Sequence, residues 1–454
     1  DDDLMQAFPY VNGSVFGEAV EIPYFDRSSR GLLIQAAYFN WSSISPAIFG
    51  SLFQAVKDKK SRRLLGEHYT TETNILKLIR PLFLDELEER FTKAYARKND
   101  LEKLLDHLST LTFLDPACGC GNFLIIAYRE LRALELRIHE RLQQLDPSRN
   151  QLVLDAAAQV HVRLTQFHGL EIEEWPATIA RTAMFLVEHQ ANQDMTLALG
   201  NSVPMLPLQD SAHIVVTNAL QADWQQIVPE SQVLYVMGNP PFLGDNTREV
   251  EQAEDLRQAW GGDKVLSRMD YVTGWHAKTL QLFSSYRYAG QWGFVTTNSI
   301  TQGDQVPRLF RPIFDNGWRI KFAHQTFAWS SESPGAASVH CVIVAFTRES
   351  KTQQRLFEYE RPKAEAGEFP VSIGINAYLQ DAKNIFVEKR SAPLSPALAK
   401  TEYGSKPTDD GNFIIEPEDY AVVTADPVAA KYVHKYVGAR ELLRNEDRWC
   451  FWLD

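Results

Sequence analysis

The chain has 454 residues, of which 44% are hydrophobic and 23% charged, and this composition is typical of a globular protein with two or three domains. No run approaches the roughly 18 consecutive apolar residues of a membrane span, and the first residues do not resemble a signal peptide. The net charge of −12 excludes a uniformly basic surface but not a local basic cleft for nucleic acid. Four cysteines are too few for a disulfide framework, so we expect reduced thiols and a cytoplasmic location.

Apolar residues recur at helical spacing through the first part of the chain. The spacing predicts a helical segment over residues 1–60 and further helices over 73–91 and 98–108. The densest basic run, VKDKKSRR at 56–63, fits a solvated helix end as well as a DNA contact. We therefore expect a helical region ahead of the first strand.

Short apolar runs then alternate with helical patterns. Runs that close on a polar residue or a glycine lie at 112–115, 166–172, 195–202, 213–220 and 232–239. Helical patterns follow at 122–142 and 176–189, and after residue 270 a helix, a strand, a helix and two strands follow one another. This alternation predicts an α/β fold with a doubly wound sheet, in which ligands bind outside the carboxyl ends of the strands.

A glycine-rich turn, LDPACGCGNFL at 114–124, joins the first predicted strand to a helix. Gly119 and Gly121 permit a tight turn and close approach of a ligand to the backbone, and Asp115 at the strand end is a hydrogen-bond acceptor. The spacing matches neither the dinucleotide pattern nor a phosphate-binding loop with its lysine. An ordinary turn remains the alternative, and two cysteines without further ligands argue against zinc.

Glu171 closes the second predicted strand in HGLEIEEW. A carboxylate at this position accepts hydrogen bonds from both ribose hydroxyls of a nucleotide-like ligand. The alternative is a solvated glutamate, because Glu173 and Glu174 follow. The position after a glycine loop and its helix favours the ribose-binding interpretation.

The tetrapeptide Asn-Pro-Pro-Phe at 239–242 ends an apolar run, QVLYVMGN. The prolines fix the backbone and remove two N–H donors, which leaves a stiff loop rich in acceptors. The Asn239 side-chain oxygen and the Pro240 carbonyl can accept from the two hydrogens of an exocyclic amine, which turns its lone pair out of conjugation. Phe242 can stack on the ring that carries the amine. A rigid strand end is the alternative for the tetrapeptide alone.

In this order, D-P-A-C-G-x-G and N-P-P-F resemble the first and fourth motifs of S-adenosylmethionine-dependent DNA adenine methyltransferases. The resemblance implies that Asp115 lies near the amino-acid part of the cofactor and that Asp223 with Trp224 binds its adenine. LLGEHYTTETNILKLI resembles the cofactor motif that precedes the glycine loop in the gamma order, although Thr71 replaces a common proline and helix capping also explains TTET.

The resemblance extends to individual positions along the chain. It assigns cofactor binding to Tyr69, Thr70, Asp115, Pro116, Ala117, Cys118, Gly119, Glu171, Ile172, Asp223 and Trp224. It assigns catalysis to Asn239, Pro240, Pro241 and Phe242. Phe327 resembles the aromatic residue that meets the target base from its other face, and core packing explains this phenylalanine nearly as well.

YVGARELLRNEDRWCFWL resembles the opening of the recognition domain in MmeI-like fused restriction and modification enzymes. That family implies a helical spacer at 1–60, a methyltransferase domain at 61–350 and a recognition domain from 351 to 454, which the abrupt aromatic ending predicts to be truncated. The implied partner is double-stranded DNA, without a membrane. No nuclease motif is evident, although such enzymes carry a nuclease domain.

Two other functions fit parts of the pattern. N-P-P-F also serves enzymes that methylate cytosine N4 or a protein glutamine, but the long C-terminal segment favours DNA over protein. A non-catalytic DNA-binding part of a defence complex is the second alternative, against which the complete motif set argues. The sequence therefore predicts a site-specific DNA adenine N6-methyltransferase of a restriction–modification system.

Overall fold

The structure, a computed structural model, describes residues 24–39, 71–146, 160–200, 211–263, 266–329, 339–388 and, with short gaps, 390–453. The chain forms two compact units, Asp1–Glu388 and Lys389–Asp454. Most of the helical pattern expected before residue 71 lies outside the described residues. The proposed division at residues 60 and 350 remains a prediction.

A nine-stranded sheet forms the centre of the first unit. Its strands are β1 (Thr112–Asp115), β2 (Phe167–Glu171), β3 (His213–Val216), β4 (Ser231–Gly238), β5 (Tyr288–Thr297), β6 (Arg319–Trp329), β7 (Val339–Thr347), β8 (Arg355–Glu358) and β9 (Gly367–Pro370), in the order β3-β2-β1-β4-β5-β7-β6-β8-β9. All neighbours pair in parallel except at β7 and β9, which are antiparallel to theirs. We call the side of the sheet at which β1 to β5 end the carboxyl edge.

The described part of the first unit contains ten α-helices, most of which cover the faces of this sheet. They are α1 (Arg27–Tyr38), α2 (Glu72–Ile79), α3 (Asp85–Ala94), α4 (Lys98–Thr110), α5 (Asn122–Leu145), α6 (Glu174–Leu199), α7 (Trp224–Ile227), α8 (Val250–Ala259), α9 (Thr273–Leu282) and α10 (Gln305–Asp315), with a π-helical turn at Arg80–Leu84. One apolar core joins the sheet to α2–α6, and a second joins its other face to α7–α10. Two covered faces confirm the predicted doubly wound α/β fold.

The helices follow from the spacing of their apolar residues. In α5, Leu124, Tyr128, Leu131 and Ile138 recur three, four or seven positions apart and are fully buried. None of the helices in the described part of the chain is both long and apolar enough to cross a membrane.

The strand end predicted at 195–202 is wrong. Residues up to Leu199 continue α6, which ends where Gly200 adopts a left-handed φ of 74°. Met195 and Leu199 are both buried and lie four positions apart, which is helical rather than strand spacing.

The second unit has a small antiparallel sheet of its own. Its strands are β10 (Ile414–Ile415), β11 (Val433–Tyr436) and β12 (Arg448–Phe451), in the order β10-β12-β11, and its helices are α11 (Tyr420–Ala425) and α12 (Ala439–Arg444). Glu441 is buried and accepts hydrogen bonds from Gly438 N at 2.8 Å and Arg448 Nη1 at 2.9 Å.

Candidate functional site

The parallel register brings the predicted polar residues to one place. β1 pairs with β2 on one side and with β4 on the other, and Asp115 lies opposite Gly169, two residues before Glu171. The glycine loop, Glu171 and the Asn-Pro-Pro-Phe turn therefore leave the sheet at adjacent positions of the carboxyl edge. Ligands of doubly wound sheets bind in this location.

The glycine loop is fastened to the end of β2. Gly119 N donates to Glu171 Oε2 at 2.9 Å, and Cys118 N donates to the Leu170 carbonyl at 3.0 Å. Gly119 has a φ of 53°, and a Cβ at this position would meet no atom within 4 Å. The loop thus presents a backbone donor beside a carboxylate, with open space next to it.

Gly238 and Asp115 fit together across the β1–β4 pair. A Cβ at residue 238 would lie 2.5 Å from Asp115 Oδ1, closer than real side chains pack, so only glycine leaves room for this carboxyl group. Asp115 Oδ1 also accepts from Ala117 N at 3.1 Å. Because Gly238 directly precedes Asn239, the carboxyl group of Asp115 lies next to the start of the Asn-Pro-Pro-Phe turn.

Burial decides the protonation of Asp115. Its side chain is only 1% exposed, and burial raises its pKa to about 8, assisted by the charge of Glu171 and opposed by the Ala117 N–H. Burial therefore favours the neutral form of Asp115. Burial and the same two carboxyl groups raise the pKa of the Cys118 thiol well above its usual value, so this cysteine is not a thiolate.

The Asn-Pro-Pro-Phe turn sits between the two apolar cores. Pro240 is buried, while Asn239, Pro241 and Phe242 are half-buried. The ring of Phe242 packs against both cores. The turn is therefore supported from both faces of the sheet and retains a partly accessible surface.

Two further residues lie beside the glycine loop and Glu171. The indole Nε1 of Trp275 in α9 donates to the Pro116 carbonyl at 2.9 Å, which fixes the turn after β1. Ile172 follows Glu171 and is 56% exposed. An exposed branched apolar side chain beside the carboxylate is available to pack on a ligand.

Asp223 and Trp224 do not join this group. Trp224 is 2% exposed and donates from Nε1 to the Ala219 carbonyl at 2.9 Å. Asp223 caps α7 by accepting from Gln225 N at 3.1 Å. The hydroxyl of Tyr288, the first residue of β5, donates to the Gln225 carbonyl at 3.1 Å, so α7 lies toward the opposite edge of the sheet. These contacts favour a helix cap beside a buried tryptophan.

Phe327 is also a core residue in this conformation. It is 1% exposed and stacks on Tyr359, with ring centroids 5.1 Å apart. Lys77 Nζ lies 4.3 Å from the centroid of its ring. The described contacts leave no accessible face for a base.

The predicted contacts of Tyr69 and Thr70 lie outside the described residues. Thr71, at the start of α2, makes no capping hydrogen bond through its side chain. The capping explanation of TTET therefore receives no support from the hydroxyl of Thr71.

The sequence interpretation did not select Asn218, which follows β3 at the carboxyl edge. Thr217 N donates to the Glu171 carbonyl at 2.8 Å, which places this segment beside the end of β2. Asn218 Oδ1 accepts from Leu220 N at 3.0 Å, and Nδ2 donates to Asp255 Oδ2 at 2.7 Å. Its position as a polar residue two places after an apolar strand, β3, is the signal that could have identified it.

Glu135 and His139, which are buried, form a group with metal-compatible spacing together with the half-buried His161 in the described part of the chain. The carboxylate of Glu135 is already engaged, because Arg132 Nε lies 3.1 Å from Oε2 and Oε1 accepts from the backbone N–H of His161. Arg132 balances the negative charge of this carboxylate. The contacts therefore favour a structural role, in which the group joins α5 to the segment before β2.

Comparison with protein families identifies both parts of the chain. The MmeI DNA-methyltransferase domain matches residues 91–358, and the MmeI target recognition domain matches residues 381–454. DNA methyltransferase A of Bacillus subtilis is 36% identical over 460 residues, covering 99% of this chain and 50% of that protein. A putative type II restriction enzyme and methyltransferase of Methanocaldococcus jannaschii is 24% identical over 179 residues, covering 39% of this chain and 14% of that protein.

Among solved structures, the type IIL restriction-modification enzyme MmeI in complex with DNA is 43% identical to this chain, with a TM-score of 0.89. The match covers 99% of this chain and 59% of the MmeI chain. The chain therefore spans about half the length of the Bacillus relative and somewhat more of the solved enzyme.

Proposed function

Because the chain belongs to the MmeI family of DNA methyltransferases, we propose that it methylates the N6 amine of an adenine flipped out of double-stranded DNA. The methyl donor is S-adenosylmethionine, and the modified adenine lies in a specific sequence that the C-terminal domain recognises. The observation that carries the proposal is the placement of the Asn-Pro-Pro-Phe turn beside Asp115 and the glycine loop.

The residues of the carboxyl edge suit S-adenosylmethionine chemically. Glu171 offers a carboxylate for ribose hydroxyls, and Ile172 offers exposed apolar surface for the adenine. The open space at Gly119 lets a ligand approach its backbone, and Asp115 would lie near the ammonium of the methionine part. When bound, the cofactor supplies an electrophilic methyl group on a positively charged sulfur.

Asn239 and Pro240 act on the amine of the target base. The Asn239 Oδ1 atom and the Pro240 carbonyl each accept one amine hydrogen, so the nitrogen lone pair turns out of the ring and toward the methyl carbon. The cofactor would supply the methyl group to this nitrogen, which would then carry the positive charge and lose one proton to water. Alignment and electrostatic stabilisation, rather than a strong base, supply the rate.

Pro241 and Phe242 hold this arrangement. The two prolines keep the loop in one conformation and remove competing N–H donors. Phe242, half-buried between the two cores, would stack on the flipped base with its accessible surface. The ring supplies position, not proton transfer.

Asn218 is our candidate for the adenine side of the cofactor, in place of Asp223 and Trp224. Its amide lies after β3, next to the segment that contacts the Glu171 carbonyl. Phe327 remains assigned to the target base only by resemblance, and its burial favours a role in the core.

The match to a target recognition domain favours DNA over a protein glutamine as the substrate. Cytosine N4 is the alternative within DNA, because the turn accepts from any exocyclic amine of similar shape. A restriction–modification role, a nuclease elsewhere in the longer protein and a cytoplasmic location belong to the same proposal. The four cysteines are free and buried, which suits a reducing compartment.

Substitution of Asn239 tests the proposed chemistry. Asn239→Ala removes one amine acceptor, and we expect methyl transfer to DNA to fall by about 10²–10³-fold with unchanged cofactor affinity. Labelled-methyl transfer by the intact protein measures the first, and calorimetry measures the second. Transfer at the wild-type rate would show that the turn does not carry the chemistry.

A further inference from the structure

Asp270 is a buried carboxyl group that connects its own segment to two others, around residue 243 and residues 297–299, near the Asn-Pro-Pro-Phe turn. It is 7% exposed. Its Oδ1 accepts from Leu243 N and Val272 N, both at 3.3 Å. Its Oδ2 accepts from Thr297 Oγ1 at 2.9 Å and from Ser299 Oγ at 3.2 Å. These four donors are neutral, so the group serves as a hub of hydrogen bonds rather than as half of an ion pair.

One of these hydrogen bonds holds Leu243, the residue that follows the turn. Leu243 directly follows Phe242, is buried, and donates its N–H to Asp270. Its carbonyl accepts from Tyr271 N at 3.0 Å. Both backbone polar groups of Leu243 are therefore fixed by residues 270 and 271.

Another of these hydrogen bonds reaches the strand beside β4. Thr297 is the last residue of β5, and Gly238 at the end of β4 pairs with Phe294 of the same strand. Asp270 N also donates to Gln305 Oε1 at 3.0 Å, at the start of α10. The start of the turn is thus fixed by the sheet, and its far end is fixed through Asp270 to the same strand.

We propose that Asp270 is a positioning residue for methyl transfer, which holds the far end of the Asn-Pro-Pro-Phe turn so that its acceptor oxygens meet the amine. The inference rests on the proposed function, because it concerns the geometry of the same turn. Displacement of a catalytic group by about 1 Å can cost 100-fold in rate. Asp270 therefore acts on the transfer step and not on cofactor binding.

The chemistry of the carboxyl group agrees with this role. Burial raises the pKa of Asp270, while the hydroxyl and N–H donors around it stabilise the charged form and oppose the rise. Burying a carboxyl group costs free energy, because the group loses its hydration. Its two oxygen atoms accept hydrogen bonds from different partners. Oδ1 accepts from backbone N–H groups, and Oδ2 accepts from two side-chain hydroxyls.

Two substitutions separate positioning from folding. Asp270→Ala removes all four hydrogen bonds, and we expect kcat at saturating DNA to fall about 100-fold, while calorimetry gives cofactor affinity within twofold of wild type. Asp270→Asn should restore kcat to within tenfold of wild type. The amide oxygen still accepts from Leu243 and Val272, and the amide N–H can donate to the hydroxyls.

Glu135 provides a matched control away from the carboxyl edge. Its carboxylate is also buried, Oε1 accepts from the backbone N–H of His161, and Arg132 Nε lies 3.1 Å from Oε2. We expect Glu135→Ala to leave kcat per folded molecule unchanged. If Asp270→Ala does not fold, the Thr297→Val, Ser299→Ala double variant removes only the two hydroxyl hydrogen bonds, and we expect it to lower kcat about tenfold.

Each outcome decides the inference. Unchanged kcat in Asp270→Ala or in the double variant overturns it, as does an equal loss of kcat in Asp270→Asn and Asp270→Ala. If Asn239→Ala is inactive and the Asp270 variants are fully active, the positioning role alone fails. If Asn239→Ala transfers methyl groups normally, the proposed function itself fails.

Discussion

Two loops at the carboxyl edge, after the neighbouring strands β1 and β4, have opposite hydrogen-bonding chemistry. The loop after β1 contains glycines, and its backbone N–H groups bind the ends of β1 and β2. Ala117 N donates to Asp115, Cys118 N to Leu170 and Gly119 N to Glu171. The loop after β4 contains two prolines, lacks two donors and offers acceptors. The sheet thus holds the loop at which we propose that the cofactor binds beside the acceptor-rich loop at which we propose that the amine binds. Gly238 and Asp115 are the point of contact between them.

The largest effect on this contact should come from Gly238→Ala. The added Cβ would lie 2.5 Å from Asp115 Oδ1, so either the carboxyl group or the turn must move. We expect methyl transfer to fall about 100-fold and the free energy of unfolding to fall by roughly 1–3 kcal/mol. Single-turnover kinetics and denaturant unfolding measure the two effects.

Gly244→Ala is the control for that substitution. A Cβ there would meet only Thr247 Oγ1, at 4.0 Å, so we expect activity and stability close to wild type. If both variants behaved alike, the contact between the two loops would not matter for function.

Glu171→Ala should act on the cofactor loop only. It removes the partner of Gly119 N and the proposed acceptor for ribose hydroxyls, so we expect cofactor affinity to fall by about 1.5–3 kcal/mol. Calorimetry measures this affinity directly, and kcat at saturating cofactor should change much less. An unchanged dissociation constant would contradict the ribose assignment.

The protonation of Asp115 should make cofactor affinity depend on pH. We expect this change in affinity to be similar to or smaller than the loss in Glu171→Ala. A cationic group favours the ionised carboxylate, so cofactor affinity should rise as pH increases toward about 8, the pKa of Asp115. The stability of the unbound protein should change with pH in the opposite direction. Because this pKa lies above the usual value of 3.8, Asp115 lowers the stability of the fold as pH rises toward 8.

Calorimetry across this pH range checks the prediction. Below the pKa, binding should release a proton and affinity should change by at most tenfold per pH unit. Asp115→Asn, which cannot ionise, should show a flat profile over the same range. A pH-dependent profile in that variant would place the titrating group elsewhere.

The smallest effect on catalysis should come from Phe327→Leu. Since Phe327 is packed against Tyr359 and Lys77, we expect a loss of about 1 kcal/mol in stability and nearly unchanged kcat. A tenfold loss of kcat without a stability change would instead support the contact with the target base suggested by sequence resemblance.

The fold was predictable because its strands and helices have clear apolar periodicities. Apolar strands that close on polar residues predicted the sheet and placed Asp115, Glu171 and Asn239 at one edge. The error at 195–202 arose because a short apolar run at the end of a long helix looks like a strand when its residues are not assigned to a helix face.

The site was less predictable where tertiary contacts decide a side chain's role. The sequence placed Asp223 near the cofactor by resemblance, whereas the structure turns it into the cap of α7. The sequence interpretation assigned no role to Asp270, because its partners at 243, 297 and 299 come together only through the fold. Buried hydrogen-bond hubs of this kind have no local signature.

The modified base in DNA tests the central claim most directly. Genomic DNA from cells that express the intact protein can be sequenced with detection of N6-methyladenine, alongside DNA from cells that express Asn239→Ala. We predict N6-methyladenine at one recurring sequence with the wild-type protein and none at that sequence with the variant. Absence of N6-methyladenine with the wild type, or equal methylation with both proteins, would contradict the account.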